Sequence, residues 1–130
     1  MQEVLDYLKQ AGTFYLATDD NGQPRVRPFG AVAQFEGRLY LSTNNKKDVY
    51  RQMLQNPKVE ISGMNGNTWI RLEAQAIADD RREARVRMLE DNPGLGSMYN
   101  ADDGIMAVVY LQNATATILT FGGEPKVIRF

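Results

Sequence analysis

Residues 13–29 have the sequence TFYLATDDNGQPRVRPF, and this stretch decides the fold class. Its first part, residues 13–18, is rich in the β-branched and aromatic residues that are typical of strands. The polar cluster that follows ends in Asn21-Gly22, a pair that favours a tight hairpin turn. A second strand then begins near Gln23. The stretch therefore predicts an antiparallel hairpin.

Regular patterns extend this hairpin in both directions. Residues 2–11 place apolar side chains at helical spacing, and they are followed by Gly12, which favours the end of a helix. On the other side the chain is expected to be extended as far as Phe35, with Pro28 and Gly30 indicating an edge, a bend or a bulge. Further strands are predicted over residues 38–42, 58–64, 68–77, 105–111 and 115–121.

Two more helices are predicted between these strands. One follows Thr43-Asn44-Asn45, residues that favour helix N-caps, and the other begins at a capping-box pattern of Asp80 and Glu83. Because most links between strands are too short for a parallel crossover, antiparallel pairing dominates. The sequence therefore predicts one domain over residues 1–130, mainly β with peripheral helices, in which about six strands form an antiparallel barrel.

Composition excludes several classes of partner. Lys and Arg number 15 against 16 Asp and Glu, so no global positive field attracts nucleic acid or an anionic membrane, and neither is expected as a partner. Any anion site must be local. The N-terminus is acidic and amphipathic, and no run approaches ~18 apolar residues, so we expect a cytoplasmic protein.

The chain contains neither cysteine nor histidine, which removes the commonest protein ligands of zinc, haem and iron–sulfur centres. Thiol nucleophiles and Ser-His-Asp chemistry are removed as well. We predict no metal site, and no residue is assigned a catalytic role. The pair Asp102-Asp103 is interpreted as a solvated turn, and core packing is a sufficient explanation for most tyrosines, Tyr99 included. If the protein is an enzyme, a bound organic cofactor is therefore a good candidate to supply the reactive group.

Two segments are candidate anion sites. Arg25 and Arg27 project from the same face of one strand, although solvated surface residues are the commoner explanation of such a pair. The segment Ser42-Thr43-Asn44-Asn45-Lys46-Lys47 offers hydroxyls, amides and free backbone N–H groups at a helix start, which suits a phosphate. Ordinary helix capping explains the polar residues but leaves the lysines unexplained. Lysines in a first helical turn cost about 0.3–1 kcal/mol each, and a bound phosphate would reverse that effect.

Trp69 is a third candidate, on the longest predicted strand. It shares a face with Arg71, Glu73 and Gln75, opposite an apolar face. Trp69 borders a cofactor ring in one interpretation, and is a subunit-contact or surface residue in the other.

Several segments together resemble the pyridoxamine 5'-phosphate oxidase-like family, in particular its small single-domain members. They are residues 14–18, 20–28 and 37–43, then Lys46-Lys47, Val49-Tyr50, Leu54, residues 56–59 and residues 71–74. The resemblance implies a six-stranded antiparallel split β-barrel of the FMN-binding type. It also implies a homodimer with FMN at the subunit interface.

Matching positions carry the family's cofactor residues onto this chain. The resemblance implies Arg27 as the phosphate-binding arginine, and it places Pro28, Phe29 and Gly30 along the flavin. The phosphate segment would be Ser42, Thr43, Asn44, Lys46 and Lys47, and Trp69 would complete the cofactor site.

The chain also departs from the family. Residues 122–130 lack the arginine and histidine that bind the substrate of true pyridoxamine-phosphate oxidases, so vitamin B6 oxidation is not expected. The missing histidines argue against close equivalence to haem-degrading relatives and to nitroimidazole-resistance relatives that use a histidine. We therefore expect an FMN-dependent oxidoreductase that acts on an unidentified small molecule and takes electrons from an unidentified donor. The alternatives are a non-catalytic flavin-binding module for storage, sensing or electron shuttling, and a deazaflavin-dependent reductase.

Overall fold

The predicted hairpin at residues 13–29 is confirmed in the computed structural model, which describes residues 1–130. Strands β1, Phe14–Asp20, and β2, Gln23–Phe29, pair antiparallel from Phe14 opposite Phe29 to Asp20 opposite Gln23. Asn21 and Gly22 take positive φ angles of 53° and 93°, which these two residue types tolerate best. The turn is closed by the backbone N–H of Gly22, which donates to the carboxylate of Asp19 over 2.8 Å.

Eight strands form one antiparallel sheet, accompanied by three α-helices. The helices are α1, Gln2–Ala11, α2, Asp48–Gln55, and α3, Arg82–Asp91, with a short 3-10 helix at Pro93–Ser97. The other strands are β3, Val32–Phe35, β4, Arg38–Asn44, β5, Lys58–Asn65, β6, Thr68–Asp79, β7, Met106–Thr120, and β8, Lys126–Arg129. Their order is β2-β1-β5-β6-β7-β4-β3, and β8 pairs with β7. The mainly β, antiparallel prediction is confirmed, but the strand count of six is wrong.

The strand count differs for three local reasons. The chain breaks at Gly30 and Ala31, so the predicted extended segment becomes β2 at one edge of the sheet and β3 at the other. Strand β7 runs unbroken where two strands were predicted, because a bulge with Asn113 at φ 51° absorbs the irregularity beside a register shift in β6. Strand β8 was not predicted, and its backbone is satisfied by pairing with β7.

Two hydrophobic clusters lie on opposite sides of β4. Its alternate residues Leu39 and Leu41 belong to the larger cluster, inside the sheet with α1 and α2. Tyr40 belongs to the smaller cluster, against Met88 of α3. Full burial of such a side chain contributes about 1.5–3 kcal/mol. Because β4 is packed from both sides, its C-terminal residues are held in a fixed position between the sheet and α3.

The helix starts differ from the predicted ones. Helix α2 begins at Asp48 with Lys47 at the N-cap position and no side-chain cap, so both lysines precede the first turn instead of occupying it. The expected conflict of the lysines with the helix dipole is therefore wrong, since the first turn carries Asp48, which suits the dipole.

The predicted capping box at Asp80 and Glu83 is also wrong. Helix α3 has Arg81 at its N-cap and no side-chain cap. Asp79 instead accepts hydrogen bonds from the backbone N–H and the guanidinium of Arg81, at 3.1 and 3.0 Å. No helix of the structure combines the length and the apolar character that a membrane crossing requires.

Candidate functional site

A cavity of about 540 Å³ lies where β2, β4, α2 and the end of α3 meet. Its volume falls within the range of about 300–1,000 Å³ that is usual for small-molecule sites. Val32 pairs with Leu41, so the Gly30-Ala31 link at the end of β2 lies beside the Ser42-Thr43 end of β4. The topology thus brings together two segments that are separated in the sequence.

Seven of the ten cofactor residues expected from the sequence line this cavity. They are Arg27, Pro28, Phe29, Gly30, Ser42, Thr43 and Lys47. The other three do not line it. Asn44 is bonded to its neighbours, Lys46 is exposed, and Trp69 lies on the outer face of β6, where its ring packs against Phe121 at 5.1 Å between centroids.

Arg27 is held by a buried polar cluster. Its Nη1 donates to the Thr18 hydroxyl and its Nη2 to Oε1 of Gln52, both over 2.7 Å. The Thr18 hydroxyl in turn donates to Oε1 of Gln52. Thr18 and Gln52 are both buried, so the guanidinium orientation is determined by β1 and α2.

Arg27 also lacks a carboxylate partner. It takes part in no ion pair, whereas Arg25 pairs with Asp20 at 3.4 Å. Burial, followed by the charge of Arg25, lowers the pKa of Arg27, although a guanidinium remains protonated at neutral pH. A bound anion would oppose both effects. This partly desolvated, unpaired cation is therefore suited to a negatively charged ligand group.

Thr43 has the only buried side-chain polar atom without a hydrogen-bond partner, its Oγ1. The residue is 4% exposed and lines the cavity. Leaving such a hydroxyl unsatisfied costs about 1–3 kcal/mol, so buried orphans of this kind are uncommon in folded proteins. A ligand oxygen in the cavity would give this hydroxyl its partner.

The charges of the cavity are unevenly distributed. Arg27 and Lys47 lie at the end formed by β2, β4 and α2, and neither forms an ion pair. Asp91, at the end of α3, contributes the only acidic side chain of the lining. The cationic end thus has the charge that suits an anion, and the apolar side chains of Phe29, Leu95 and Met98 also line the cavity.

Sequence reasoning missed the segment that covers the cavity. Residues 91–95, Met98 and Tyr99 contribute to the lining. The side-chain amide of Asn92 donates to the carbonyl of Val32 over 2.9 Å and to that of Met88 over 3.1 Å, which ties the end of α3 to β3. The Pro- and Gly-rich sequence of residues 93–97 is typical of an irregular segment, and these residues form a short 3-10 helix. The pattern contained no information about which strands the segment would cover.

Comparison with known proteins identifies relatives of this chain. The family model for pyridoxamine 5'-phosphate oxidase matches residues 1–115. The solved structure of a NimC/NimA family protein from Clostridium acetobutylicum has 51% sequence identity and a TM-score of 0.97, covering 100% of this chain and 92% of that one. Among curated proteins, none matches the sequence significantly.

Two more distant structures share the fold. General Stress Protein 26 from Bacillus anthracis has 16% identity and a TM-score of 0.78, covering 99% of this chain and 98% of that one. A heme binding protein from Mycobacterium smegmatis has 16% identity and a TM-score of 0.72, covering 92% of this chain and 53% of that one. At this level of identity the two structures support the split-barrel architecture alone.

Proposed function

Because the chain belongs to the pyridoxamine 5'-phosphate oxidase family, we propose that its cavity binds FMN, with the phosphate at the end formed by Arg27, Ser42, Thr43 and Lys47. The observation that carries this proposal is the orphaned hydroxyl of Thr43 in the same cavity as the unpaired guanidinium of Arg27. Both groups are unfavourable in an empty protein. Both become favourable when a phosphate oxygen is present.

The remaining lining suits the flavin ring. Pro28, Phe29 and Gly30 from the end of β2 line the cavity, and Leu95 and Met98 from the segment after α3 line it as well. Phe29 packs against the buried ring of Phe14, with ring centroids 6.3 Å apart. A flat aromatic ring suits such an apolar lining, while the polar donors at the cationic end would orient the phosphate.

The proposed activity is that of an oxidoreductase acting on a small molecule. FMN supplies the redox chemistry when it is bound, and the residues of this chain bind it, orient it and restrict the space beside it. The cavity has no histidine or cysteine and a single carboxylate, Asp91, so few of its groups are suited to acid–base work. The small number of acid–base groups favours a second candidate function, that of a flavin-binding module without its own substrate.

The absorbance spectrum of the purified protein tests the cofactor. We expect flavin bands, and FMN should bind the stripped protein with micromolar or tighter affinity, about 8 kcal/mol or more. Parallel titrations with a deazaflavin and with haemin separate the alternatives. A protein that takes up haemin and not FMN would overturn the proposal, although the chain lacks the His and Cys that most often ligate haem iron.

Anaerobic mixing of the FMN-loaded protein with NADH or NADPH distinguishes an enzyme from a binding module. Rapid bleaching of the flavin band is expected for an oxidoreductase that uses either donor. Tight FMN binding with no reduction by either nucleotide would support the binding module.

We further propose that the protein is a homodimer that brings the cofactor to the subunit interface. Five large apolar side chains between 46% and 84% exposed lie on the outer face of the sheet or against it, namely Tyr15, Val26, Met64, Phe121 and Val127. Exposed apolar area of this kind is typical of interaction surfaces. Hereafter this set, together with Trp69, is called the outer apolar face.

A second copy of the chain is the partner that suits the outer apolar face. The same side of the sheet carries Arg71 and Glu73, whose opposite charges can pair across a self-complementary two-fold contact. Pro28, which lines the cavity, pairs with Tyr15 of this face, so the face runs up to the cavity rim. A partner docked there would come close to the bound cofactor.

The molecular mass in solution tests the dimer. We expect twice 14.7 kDa for the native protein, and a monomer of 14.7 kDa for the variant Met64→Arg with Phe121→Arg. Leu54→Arg is the matched control, since Leu54 is exposed to a similar extent but lies on α2, away from the outer apolar face. A dimer that survives the double substitution would exclude this face as the interface.

A further inference from the structure

We propose that Tyr99 is an additional phosphate-binding residue, whose hydroxyl donates a hydrogen bond to the anionic group at the cationic end of the cavity. The inference rests on the proposed function, because it assigns a further donor to the same site. It departs from the sequence-based interpretation of Tyr99 as a packing residue.

The hydrogen-bond directions around Asn44 leave the hydroxyl hydrogen of Tyr99 unused. The backbone N–H of Lys46 donates to Oδ1 of Asn44 over 3.0 Å, so this amide oxygen is identified by the donor that it faces. The amide nitrogen must then face Tyr99, and it donates to the hydroxyl oxygen over 2.7 Å. A hydroxyl oxygen that accepts from an N–H group directs its own hydrogen elsewhere. No protein acceptor takes that hydrogen in the structure.

The position of Tyr99 places this free donor at the phosphate end. Tyr99 lines the cavity, and its hydroxyl is bonded to Asn44, the residue that directly follows Ser42 and Thr43 at the end of β4. Asn44 itself does not line the cavity. Its effect on a ligand would therefore be exerted through Tyr99, which makes Asn44 a positioning residue.

The arrangement is pre-organised and carries no charge. Two hydrogen bonds orient the Asn44 amide, and the amide in turn orients the phenol, so little conformational freedom is lost when a ligand binds. A neutral donor supplements Arg27 and Lys47 without adding to the repulsion between cations in the empty cavity. Tyr99 should thus increase the preference for a phosphorylated flavin over the same ring without phosphate.

The experiment compares FMN, riboflavin and inorganic phosphate on the full-length protein and its Tyr99→Phe variant. The variant should bind FMN about tenfold to hundredfold more weakly, as expected for a lost hydrogen bond to a charged group, and should bind riboflavin within about twofold of the native protein. The rise in melting temperature caused by inorganic phosphate should shrink as well. Asn44→Ala should change FMN affinity in the same direction but less.

Tyr110→Phe is the matched control, because Tyr110 is a half-buried tyrosine that packs against Tyr40 and Arg38 and does not line the cavity. Equal losses for FMN and riboflavin in Tyr99→Phe would assign the residue to the ring and overturn the inference. Unchanged affinity for FMN would overturn it too, while leaving FMN binding by the native protein intact. A native protein that binds neither FMN nor phosphate would refute the proposed function, and the inference with it.

Discussion

Replacing Thr43 with valine should stabilise the ligand-free protein and weaken its binding of FMN. Valine has nearly the shape of threonine and favours strands, and position 43 lies in β4. The hydroxyl of Thr43 is buried and has no partner, so its removal relieves a desolvation cost of about 1–3 kcal/mol that nothing in the empty protein offsets. We expect an unfolding free energy higher by about 1 kcal/mol and a melting temperature higher by about 3–5 °C.

The same substitution removes a donor to the phosphate. A hydrogen bond to a charged group contributes about 1.5–3 kcal/mol, so FMN affinity should fall about tenfold to hundredfold. Urea denaturation of the flavin-free protein measures the first effect, and flavin fluorescence during titration measures the second. A substitution that raises the free energy of unfolding but lowers the affinity for FMN identifies a group that serves ligand binding at a cost in stability.

Thr18→Val provides the control. Thr18 is 4% exposed, as Thr43 is, but its hydroxyl accepts from Arg27 and donates to Gln52. Valine at position 18 should therefore lower the unfolding free energy by about 1–3 kcal/mol, because it leaves buried polar groups without a partner. Should Thr43→Val prove less stable than the native protein, or bind FMN equally well, the reasoning about this hydroxyl is refuted.

Two further predictions concern the charged groups. Lys47→Ala should reduce FMN affinity about tenfold in a fluorescence titration, because Lys47 lines the cavity. Lys46 lies outside the cavity, so Lys46→Ala should change FMN affinity by about twofold or less. Equal effects of the two substitutions would contradict the different positions of these lysines. Hydrogen bonds, from Arg81 above all and also from Tyr40, lower the pKa of Asp79 to about 2. The ionised carboxylate of Asp79 therefore stabilises the folded protein. This contribution is fully present above the unfolded pKa of about 4 and is lost as the pH falls towards 2. In acid titrations, the free energy of unfolding of Asp79→Asn should therefore fall by about 1–2 kcal/mol less than that of the native protein across this pH range. If the free energy of unfolding of Asp79→Asn depends on pH as that of the native protein does, Asp79 does not contribute to the acid sensitivity.

The sequence by itself determined the fold class, and it named seven of the residues that line the cavity. Local turn chemistry and strand alternation predict the first hairpin, and Pro28 and Gly30 indicate an irregularity where β2 ends. These features depend on interactions between residues close in the chain, so they can be recognised without coordinates. The residue types at Arg27 and at Ser42 to Lys47 likewise indicate an anion site before any fold is known.

Only the tertiary structure decided which groups act together. It separates Lys47 from Lys46, places Trp69 on the outer apolar face, and leaves one buried hydroxyl, that of Thr43, without a partner. It also brings Tyr99 to the end of β4, across 55 positions of the sequence. Hydrogen-bond satisfaction depends on neighbours that are distant in the chain, and only packing determines which neighbours those are. The residue types of a site can therefore be recognised in the sequence. The hydrogen-bond partners of those residues, and so the donors that are left without a partner, are determined by the tertiary structure.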